Sequence, residues 1–448
     1  MIKKVYLRSY GCQMNEYDSE LVHSILEKDG YRFVESDDQA DVILLNTCSV
    51  RESAVRKIYG AVREIRHRHK NKNLKIGILG CIPTHQKENL FNLKSFEIDF
   101  IAGPDSYKKL PQLIRECSMA NVGNGLKPFP TQKPFDITLS EFETYEDIYP
   151  KRKDSVNAWI AIMRGCNNFC SFCVVPYARG RERSRNPEDI LREVKRLTQE
   201  GFAQVTLIGQ NVNSYKAKDC DFSDLLNQIS KVSAIKRIRF VSPHPKDFPD
   251  KLIDTVANDK KVCPHIHLPL QSGNDRILKL MNRKYTKTKY LKLVDKIRKR
   301  CPNVALTTDI IVGFPSETED EFNDTLDVIK KVQYDAAFIF KYSPRSGTQA
   351  AQKFEDDVTN PTKTKRIVKL NDLQKKISLK QNKRSIGQTE EILIERTATA
   401  SKKGQIHGRT GTNKIVTIPS GPYRVGDFVN VSITSASPHV LRGKVISP

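Results

Sequence analysis

Residues 3–8, 41–46 and 74–79 are short apolar runs rich in β-branched residues. Between them apolar positions recur at helical spacing: Leu21, Ile25 and Leu26, then Val55, Ile58, Tyr59, Val62 and Ile65. Strands alternating with helices predict a parallel sheet covered on both faces, with functional loops at the strand carboxyl ends. Gly, Asn and Pro then cluster near 121–130, and Glu141–Asp147 together with Asp136 carries five acids and no base, so residues 119–155 read as a solvated linker. From Val156 six further strand-like runs, 156–163, 203–209, 236–241, 265–270, 304–312 and 334–341, alternate with amphipathic stretches such as Pro187–Thr198 and Thr318–Val332. Six βα units are too few for a closed eight-stranded barrel and predict an open, partial one. A basic stretch at 361–386 reads as a helix. After it alternation returns at 389–395, 414–418, 427–433 and 440–446, punctuated by glycines 404, 408, 411, 421 and 426. Such a segment predicts a small β-barrel of the OB-like sort, an architecture often used for oligonucleotides. The expected fold is α/β and multidomain: an N-terminal parallel-sheet domain at 1–118, a linker at 119–155, a partial (βα)6 barrel at 156–386 and a terminal β-barrel at 387–448.

Composition narrows the class. At 448 residues and 38% apolar content the chain has room for several domains. No stretch approaches the ~18 consecutive apolar residues of a membrane span. The N-terminus, Met1 to Tyr10, reads as a strand without a signal-peptide core, so a cytoplasmic protein with no membrane partner is expected. The formal charge of +23 exceeds what solubility needs and marks a polyanion partner, nucleic acid first. The excess is uneven: residues 274–300 hold eleven Lys or Arg against two acids, and 360–386 nine against one. Either run alone reads as a solvated helix face more readily than as a binding patch. Ten cysteines in such a chain point to metal or redox chemistry rather than disulfides.

Cys166, Cys170 and Cys173 are spaced four and three residues apart in Met163-Arg164-Gly165-Cys166-Asn167-Asn168-Phe169-Cys170-Ser171-Phe172-Cys173. Three such thiolates hold three corners of a cubane iron–sulfur cluster, and no nearby fourth cysteine completes the set. One iron is left open, as a catalytic zinc keeps a position free for its substrate. A structural zinc site would lack its fourth ligand. A second set follows from topology. Cys12, Cys48 and Cys81 each come directly after one of the N-terminal strands, in Tyr10-Gly11-Cys12, Asn46-Thr47-Cys48 and Gly80-Cys81. In a parallel sheet these ends point the same way, so the three thiols should converge on one edge. A lone cysteine after a strand is most often a small buried hydrophobe, but three at equivalent places argue for a site. Cys117, Cys220, Cys263 and Cys301 show no such pattern and read as ordinary thiols.

Chemistry in a parallel barrel sits at the strand carboxyl ends. There the first strand delivers the cysteine triad, the second Gly209-Gln210-Asn211, the third Ser242-Pro243-His244-Pro245, and the fourth Gln271-Ser272-Gly273-Asn274. The fifth delivers Gly313-Phe314-Pro315 and the sixth Tyr342 to Thr348. Each loop alone is ordinary turn chemistry; six in succession at one end favour a site. His265 and His267 share one side of the fourth strand and read as core histidines, with no metal assigned to them.

The cysteine spacing resembles that of the radical S-adenosylmethionine (SAM) enzymes, and the whole chain, in order, resembles the methylthiotransferases. Much of the match lies in Met163 to Cys170, Val174-Val175-Pro176-Tyr177 and Arg179-Gly180-Arg181-Glu182-Arg183-Ser184-Arg185. The rest lies in His267 to Gly273 and Thr308 to Pro315, while Gly404 to Thr410 and Tyr423 to Asp427 resemble the TRAM RNA-binding domain. Ser171 stands where that family usually has Thr. The resemblance implies two [4Fe-4S] clusters: one on Cys166, Cys170 and Cys173 whose open iron is chelated by SAM, and an auxiliary one on Cys12, Cys48 and Cys81 that carries sulfur. SAM would serve both as methyl donor and as radical source. SAM contacts are expected from Gly209, Gln210, Asn211, Gln271, Ser272, Asp309 and Gly313, and RNA contacts from Arg181, Arg183, Arg185, Arg409 and Arg424, with Arg179 also near the cofactor. The implied reaction is methylthiolation at C2 of the N6-isopentenylated adenosine at tRNA position 37. Implied partners are a tRNA anticodon stem-loop, an electron donor of flavodoxin or ferredoxin type, and a sulfur source, for a monomeric enzyme whose terminal barrel grips RNA rather than building the active site. Two other readings are a methylthiotransferase acting on threonylcarbamoyladenosine tRNA or a ribosomal protein, and a noncatalytic iron–sulfur RNA-binding protein. The charge and the terminal barrel favour the tRNA enzyme.

Overall fold

The computed structural model describes residues 3–49, 52–70, 72–92, 96–119, 133–152, 156–397 and 404–446. Residues 120–132 and 153–155 of the expected linker lie outside these, as do the side chains of 52–56, 87–89 and 119, Val55 among them. The chain divides into two units: residues 1–153 with 163–169 and 173–185, and residues 154–162 with 170–172 and 186–448.

The first unit is built on six parallel strands in the spatial order Arg32–Phe33, Lys4–Tyr10, Val42–Thr47, Lys75–Gly80, Phe100–Ala102 and Phe135–Asp136. Val42–Thr47 and Lys75–Gly80 are buried along their whole length, which is why they read as continuous apolar runs rather than alternating ones. Helix Glu52–Arg68 lays Ile58, Val62 and Ile65 on one face of the sheet. Helix Gln13–Lys28 buries Tyr17, Leu21, Val22 and Leu26. The strand order reverses between Lys4–Tyr10 and Val42–Thr47, the position where a doubly wound sheet opens a crevice at its carboxyl ends. Tyr10 pairs with Thr47 and Thr47 with Gly80, so three strands end level with one another.

Residues 133–152 correct the expected solvated linker. Phe135–Asp136 adds a strand to the sheet. Asp136 accepts from Ser106 Oγ at 2.6 Å and pairs with Lys109, and Lys108 pairs with Glu143 and Asp147 at 3.0 and 2.8 Å. Tyr145 is fully buried, donating to the Pro104 carbonyl at 2.9 Å and accepting from the Tyr107 N–H at 3.0 Å. The acids looked solvated because their lysine partners lie about three dozen residues away, beyond any local window.

The second unit contains six parallel strands in chain order: Asn157–Ala161, Gln204–Ile208, Arg237–Phe240, His265–His267, Ala305–Val312 and Ala336–Lys341. The third and fourth are joined through the parallel bridge Ile238–Val262. Helices follow the strands with sound starts: Thr318 and Glu321 form a capping box at Glu319–Val332, and Pro187 opens Pro187–Gln199. One sheet face, carrying Ile160, Val205, Leu207, Ile238, Ile266, Leu306 and Ile310, is fully buried. The opposite face is polar, with Asn157, Thr206, Arg237, Arg239, His265, His267, Thr307 and Asp309.

In the same unit residues 389–445 close into a five-stranded barrel in the order Thr389–Arg396, Ile406–Thr410, Ile415–Ile418, Leu441–Val445 and Phe428–Ala436. Its core is Ile392, Ile394, Ile406, Val416, Ile418, Val431, Ile433 and Leu441. Ile406–Thr410 is the strand that apolar alternation missed. Its buried positions are Ile406, Gly408 and Thr410, and a β-carbon on Gly408 would stand 2.7 Å from Ile392 Cδ1. The terminal barrel is bolted to the amino-terminal end of the third strand of the larger barrel. Arg237 donates to the Arg409 and Glu391 carbonyls, both at 2.7 Å. Arg239 donates to the Thr410 and Gly411 carbonyls at 2.6 and 3.0 Å and to Gln204 Oε1 at 3.0 Å.

Among the described residues no helix is long and apolar enough to cross a membrane. Replacing Arg239 by Met strips those three acceptors of a buried donor, so the Arg239→Met protein should lose on the order of 3 kcal/mol. A lower urea midpoint measures that loss; an unchanged midpoint would show that the two barrels hold together without it.

Candidate functional site

Because the strands end level, the residues after them converge. Cys12 caps the start of helix Gln13–Lys28, Cys48 is buried directly after Thr47, and Cys81 opens the short helix Cys81–Gln86. The approach is close enough to require glycine before two of them. Gly11 has φ +146° and its added β-carbon would collide with Cys48 Cβ; Gly80 has φ +90° and faces Asn46 Oδ1 and the Thr47 carbonyl. Fully buried Asn15 ties the ends together, donating to Asn46 Oδ1 and to the Thr47 carbonyl, both at 3.0 Å, and accepting from Cys12 Sγ at 3.2 Å.

Electrostatics set this edge apart from an ordinary thiol pocket. Cys12 is pulled down to about 6 by its hydrogen bond with Cys48, with the Arg179 charge helping and burial opposing. Burial pushes Cys81 up, with Arg179 as the main opposing influence. Cys117 has no such setting and is pushed up to about 11 by burial. Arg179 Nε lies 3.2 Å from Cys81 Sγ, and its Nη2 donates to Asp18 Oδ2 at 2.8 Å. Arg164 Nη2 donates to the other oxygen of Asp18, also at 2.8 Å. A Cys12 thiol that ionises near neutral pH, with Cys48 beside it and a guanidinium on Cys81, suits iron–sulfur ligation.

In the second cysteine loop Cys166 Sγ accepts from Asn168 Nδ2 at 3.5 Å and Cys173 Sγ from the Val175 N–H at 3.5 Å. Cys170 Sγ accepts from Arg283 Nη1 at 3.2 Å. Arg283 is itself held by Tyr285 Oη at 2.9 Å and the Pro269 carbonyl at 3.3 Å. Gln271 has φ +69° and Gln210 lies at the end of the second strand. Their Oε1 atoms are buried acceptors without a partner among the described residues, which suits donors of a bound cofactor. Gly209 and Ser272 are buried beside them, and Asn211 Nδ2 donates to Asp247 Oδ2 at 3.0 Å. Asp309 faces His267, whose Nε2 lies 3.2 Å from Oδ2, and the two exposed aromatics Phe338 and Phe340 share that face. Gly313 packs against the stem of Lys363 and donates to Glu317 Oε2 at 2.6 Å. Burial holds His265 down to about 3, neutral and bonded to Thr307 Oγ1 at 3.2 Å, as a core histidine.

The arginines divide. Arg183 and Arg185 are corrected as RNA contacts: both are buried, Arg183 on Asp105 at 2.9 Å and Arg185 on Tyr17 Oη at 3.2 Å. Of the arginines at 179, 181, 183 and 185 only Arg181 is exposed, a division that the run of positive charge conceals. Arg181 is exposed and lies over the Phe169 ring at 4.3 Å. Arg424 is exposed; Arg409 is half-buried with Glu395 at 3.0 Å. Much of the basic run 274–300 is spent on acids: Arg276 on Glu321, Lys287 on Asp324, and Lys296 and Arg300 on Asp250. Asn15, Asp18, Arg164 and Arg283 were not singled out from sequence, because their partners come from distant segments.

Family models match all three parts: the uncharacterized protein family UPF0004 over residues 4–103, the Radical SAM superfamily over 160–329 and the TRAM domain over 383–446. Curated relatives match end to end. A tRNA-2-methylthio-N(6)-dimethylallyladenosine synthase of Phocaeicola vulgatus is 42% identical over 99% of this chain and 96% of its own. Those of Porphyromonas gingivalis and Desulforamulus reducens are 43% and 44% identical, each over 99% of this chain and 95% and 96% of their own. The chain belongs to the tRNA-2-methylthio-N(6)-dimethylallyladenosine synthase family. As a member of that family it is a radical SAM enzyme with a terminal TRAM domain. Among solved structures the radical SAM methyltransferase TsrM from Kitasatospora setae superposes with a TM-score of 0.59 at 16% identity, covering 78% of this chain and 77% of TsrM. The cobalamin-dependent radical SAM enzyme OxsB superposes at 0.54 with 13% identity, over 82% of this chain and 56% of OxsB. At those identities the likeness is one of fold.

Asp18 is shared by two buried guanidiniums, those of Arg164 and Arg179. Asp18→Asn should therefore destabilise the first unit by about 3–5 kcal/mol, the cost of leaving buried charge uncompensated. Hydrogen exchange of helix Gln13–Lys28 reads this directly, and unaltered protection would mean that the arginines are held by other groups.

Proposed function

We propose that the chain methylthiolates C2 of N6-dimethylallyladenosine at tRNA position 37, with two [4Fe-4S] clusters and SAM. The observation that carries this reading is the level ending of three parallel strands, which supplies a second three-cysteine set in a chain that also carries a radical SAM domain. Cys166, Cys170 and Cys173 would hold the cluster that binds SAM, and Cys12, Cys48 and Cys81 the auxiliary one. When bound, these groups supply a radical that removes hydrogen from an unactivated carbon, together with the sulfur and methyl that replace it. The carbon carries no acidic proton, so general acid–base catalysis by side chains has little to offer there. The chain's own residues position and exclude. Gln210 and Gln271 present acceptors that have no partner among the described residues and suit the cofactor's donors, and Gly209, Asn211, Ser272, Asp309 and Gly313 complete the expected lining.

The functional division is an N-terminal part for the auxiliary cluster, to whose sheet residues 133–152 contribute, then 156–386 for radical chemistry and 387–448 for RNA. The anticodon stem-loop would meet exposed Arg181 and Arg424 and half-buried Arg409. A flavodoxin- or ferredoxin-like electron donor, a sulfur source, a cytoplasmic location and a monomeric state complete the reading.

Nucleosides from tRNA of a strain lacking the gene should show N6-dimethylallyladenosine in place of its 2-methylthio derivative. The wild-type gene should restore the derivative; unchanged methylthio content in the deletion strain would sink the assignment. Protein with Cys12, Cys48 and Cys81 replaced by Ala should still form 5′-deoxyadenosine from SAM while making no methylthiolated tRNA. Normal product from that variant would remove the auxiliary site from the reaction.

Arg424→Ala should weaken binding of a labelled anticodon stem-loop and lower the slope of log affinity against log salt by roughly one. Titration at two salt concentrations checks it. An unchanged slope would take Arg424 off the phosphate backbone.

A further inference from the structure

Beside the N-terminal cysteines one buried carboxylate serves two buried guanidiniums. Asp18, fully buried, accepts from Arg164 through one oxygen and from Arg179 through the other, each at 2.8 Å. The next carboxylate, Asp105, is taken by Arg183 at 2.9 Å. Three guanidiniums therefore meet two carboxylates. Arg164 rests on the Tyr145 ring at 4.6 Å, so its surplus is spread over an aromatic face. Arg179 is 3% exposed and points its Nε at Cys81 Sγ, 3.2 Å away. Its Nη1 is buried and has no partner among the described residues. A buried guanidinium that shares its carboxylate with a second arginine favours a further anion beside it, and Cys81 Sγ lies against its Nε.

We propose that Arg179 is a positioning residue for the auxiliary cluster: it orients the Cys81 sulfur through Nε and raises the cluster's reduction potential, while Asp18 fixes the angle of its guanidinium. The inference rests on the reading that Cys12, Cys48 and Cys81 hold that cluster. Hydrogen bonds to ligand sulfur and nearby positive charge favour the more negative partner of a one-electron couple, which is the reduced cluster. A planar fork is needed, because one nitrogen must reach sulfur while another stays on the carboxylate; a lysine is a single point of charge and does one or the other. The same fork makes a mechanical link. Arg164 precedes Cys166 by two residues and Arg179 follows Cys173 by six, so both ends of the second cysteine loop are tied to the carboxylate that aims a donor at the first set.

The test uses full-length protein with Cys166, Cys170 and Cys173 replaced by Ala, so that only the auxiliary cluster is reconstituted. Iron and sulfide are measured and the couple is titrated with dithionite under electron paramagnetic resonance. A parent that binds no cluster would overturn the reading beneath the proposal, and the proposal with it. With the parent loaded, Arg179→Gln should lower the midpoint potential, and Arg179→Lys should fall between the two because it keeps charge but loses the second contact. Equal midpoints in all three proteins would overturn the proposal and leave the cluster assignment intact. If Arg179→Gln does not fold or load, Arg179→Lys decides alone: a midpoint below the parent's supports the role, and an identical one refutes it.

Discussion

The first unit depends on one shared carboxylate. Asp18 lies on helix Gln13–Lys28, one turn and a half after Cys12, and is reached by arginines from before and after a loop nearly 150 residues downstream. Such a contact cannot slide. Two charged hydrogen bonds at 2.8 Å in a site closed to water leave no cheap alternative for either guanidinium. This is why residues 163–169 and 173–185 belong with the N-terminal sheet although the sequence pattern placed them with the barrel strands. The covalent order of the chain says one thing about these residues and the charge arrangement says another, and in the folded unit the charge arrangement prevails.

What the sequence made legible was everything with a short period. The strands at 42–47 and 75–80 were readable because burial on both faces demands unbroken apolar residues. From their parallel direction the meeting of Cys12, Cys48 and Cys81 followed without any view of the side chains. The terminal barrel was readable from alternation, except at Ile406–Thr410, where Gly408 replaces an apolar inward residue because the Ile392 side chain fills that space. From sequence Arg179 reads as a phosphate or SAM carboxylate contact; in the structure its guanidinium goes to Asp18 and Cys81. Arg183 and Arg185 read as RNA contacts in the sequence because a charge run looks the same whether it faces water or buried oxygens such as those of Asp105 and Tyr17.

The two cysteine sets share a design that neither spacing nor composition announces. In the first unit Arg179 reaches Cys81 Sγ at 3.2 Å, steadied by Asp18; in the second Arg283 reaches Cys170 Sγ at 3.2 Å, steadied by Tyr285 and the Pro269 carbonyl. In each case a buried guanidinium offers one nitrogen to sulfur and at least one other to a fixed protein oxygen. A cation so held cannot reorient as charge on the sulfur changes, so its field is already in place and no reorganisation is needed. That property serves one-electron chemistry well, where a mobile solvent shell would add its own relaxation to every transfer.

The same economy governs how RNA affinity is separated from the interior. Of the basic residues that give the chain its charge of +23, many inside the folded units are consumed by acids: Arg276, Lys287, Arg300 and Arg366 each have a carboxylate within 2.6–2.9 Å. Arg237 and Arg239 are consumed by carbonyls of the terminal barrel. Net charge therefore overstates the binding surface, and the location of unpaired cations is more informative than their number. Arg424 sits on the terminal barrel in a turn closed by Asp427, whose carboxylate takes the Arg424 N–H at 2.7 Å and leaves the guanidinium exposed. Backbone closure by an acid and side-chain exposure of a base at one residue is how a barrel only five strands around presents charge outward without drawing it into its own core.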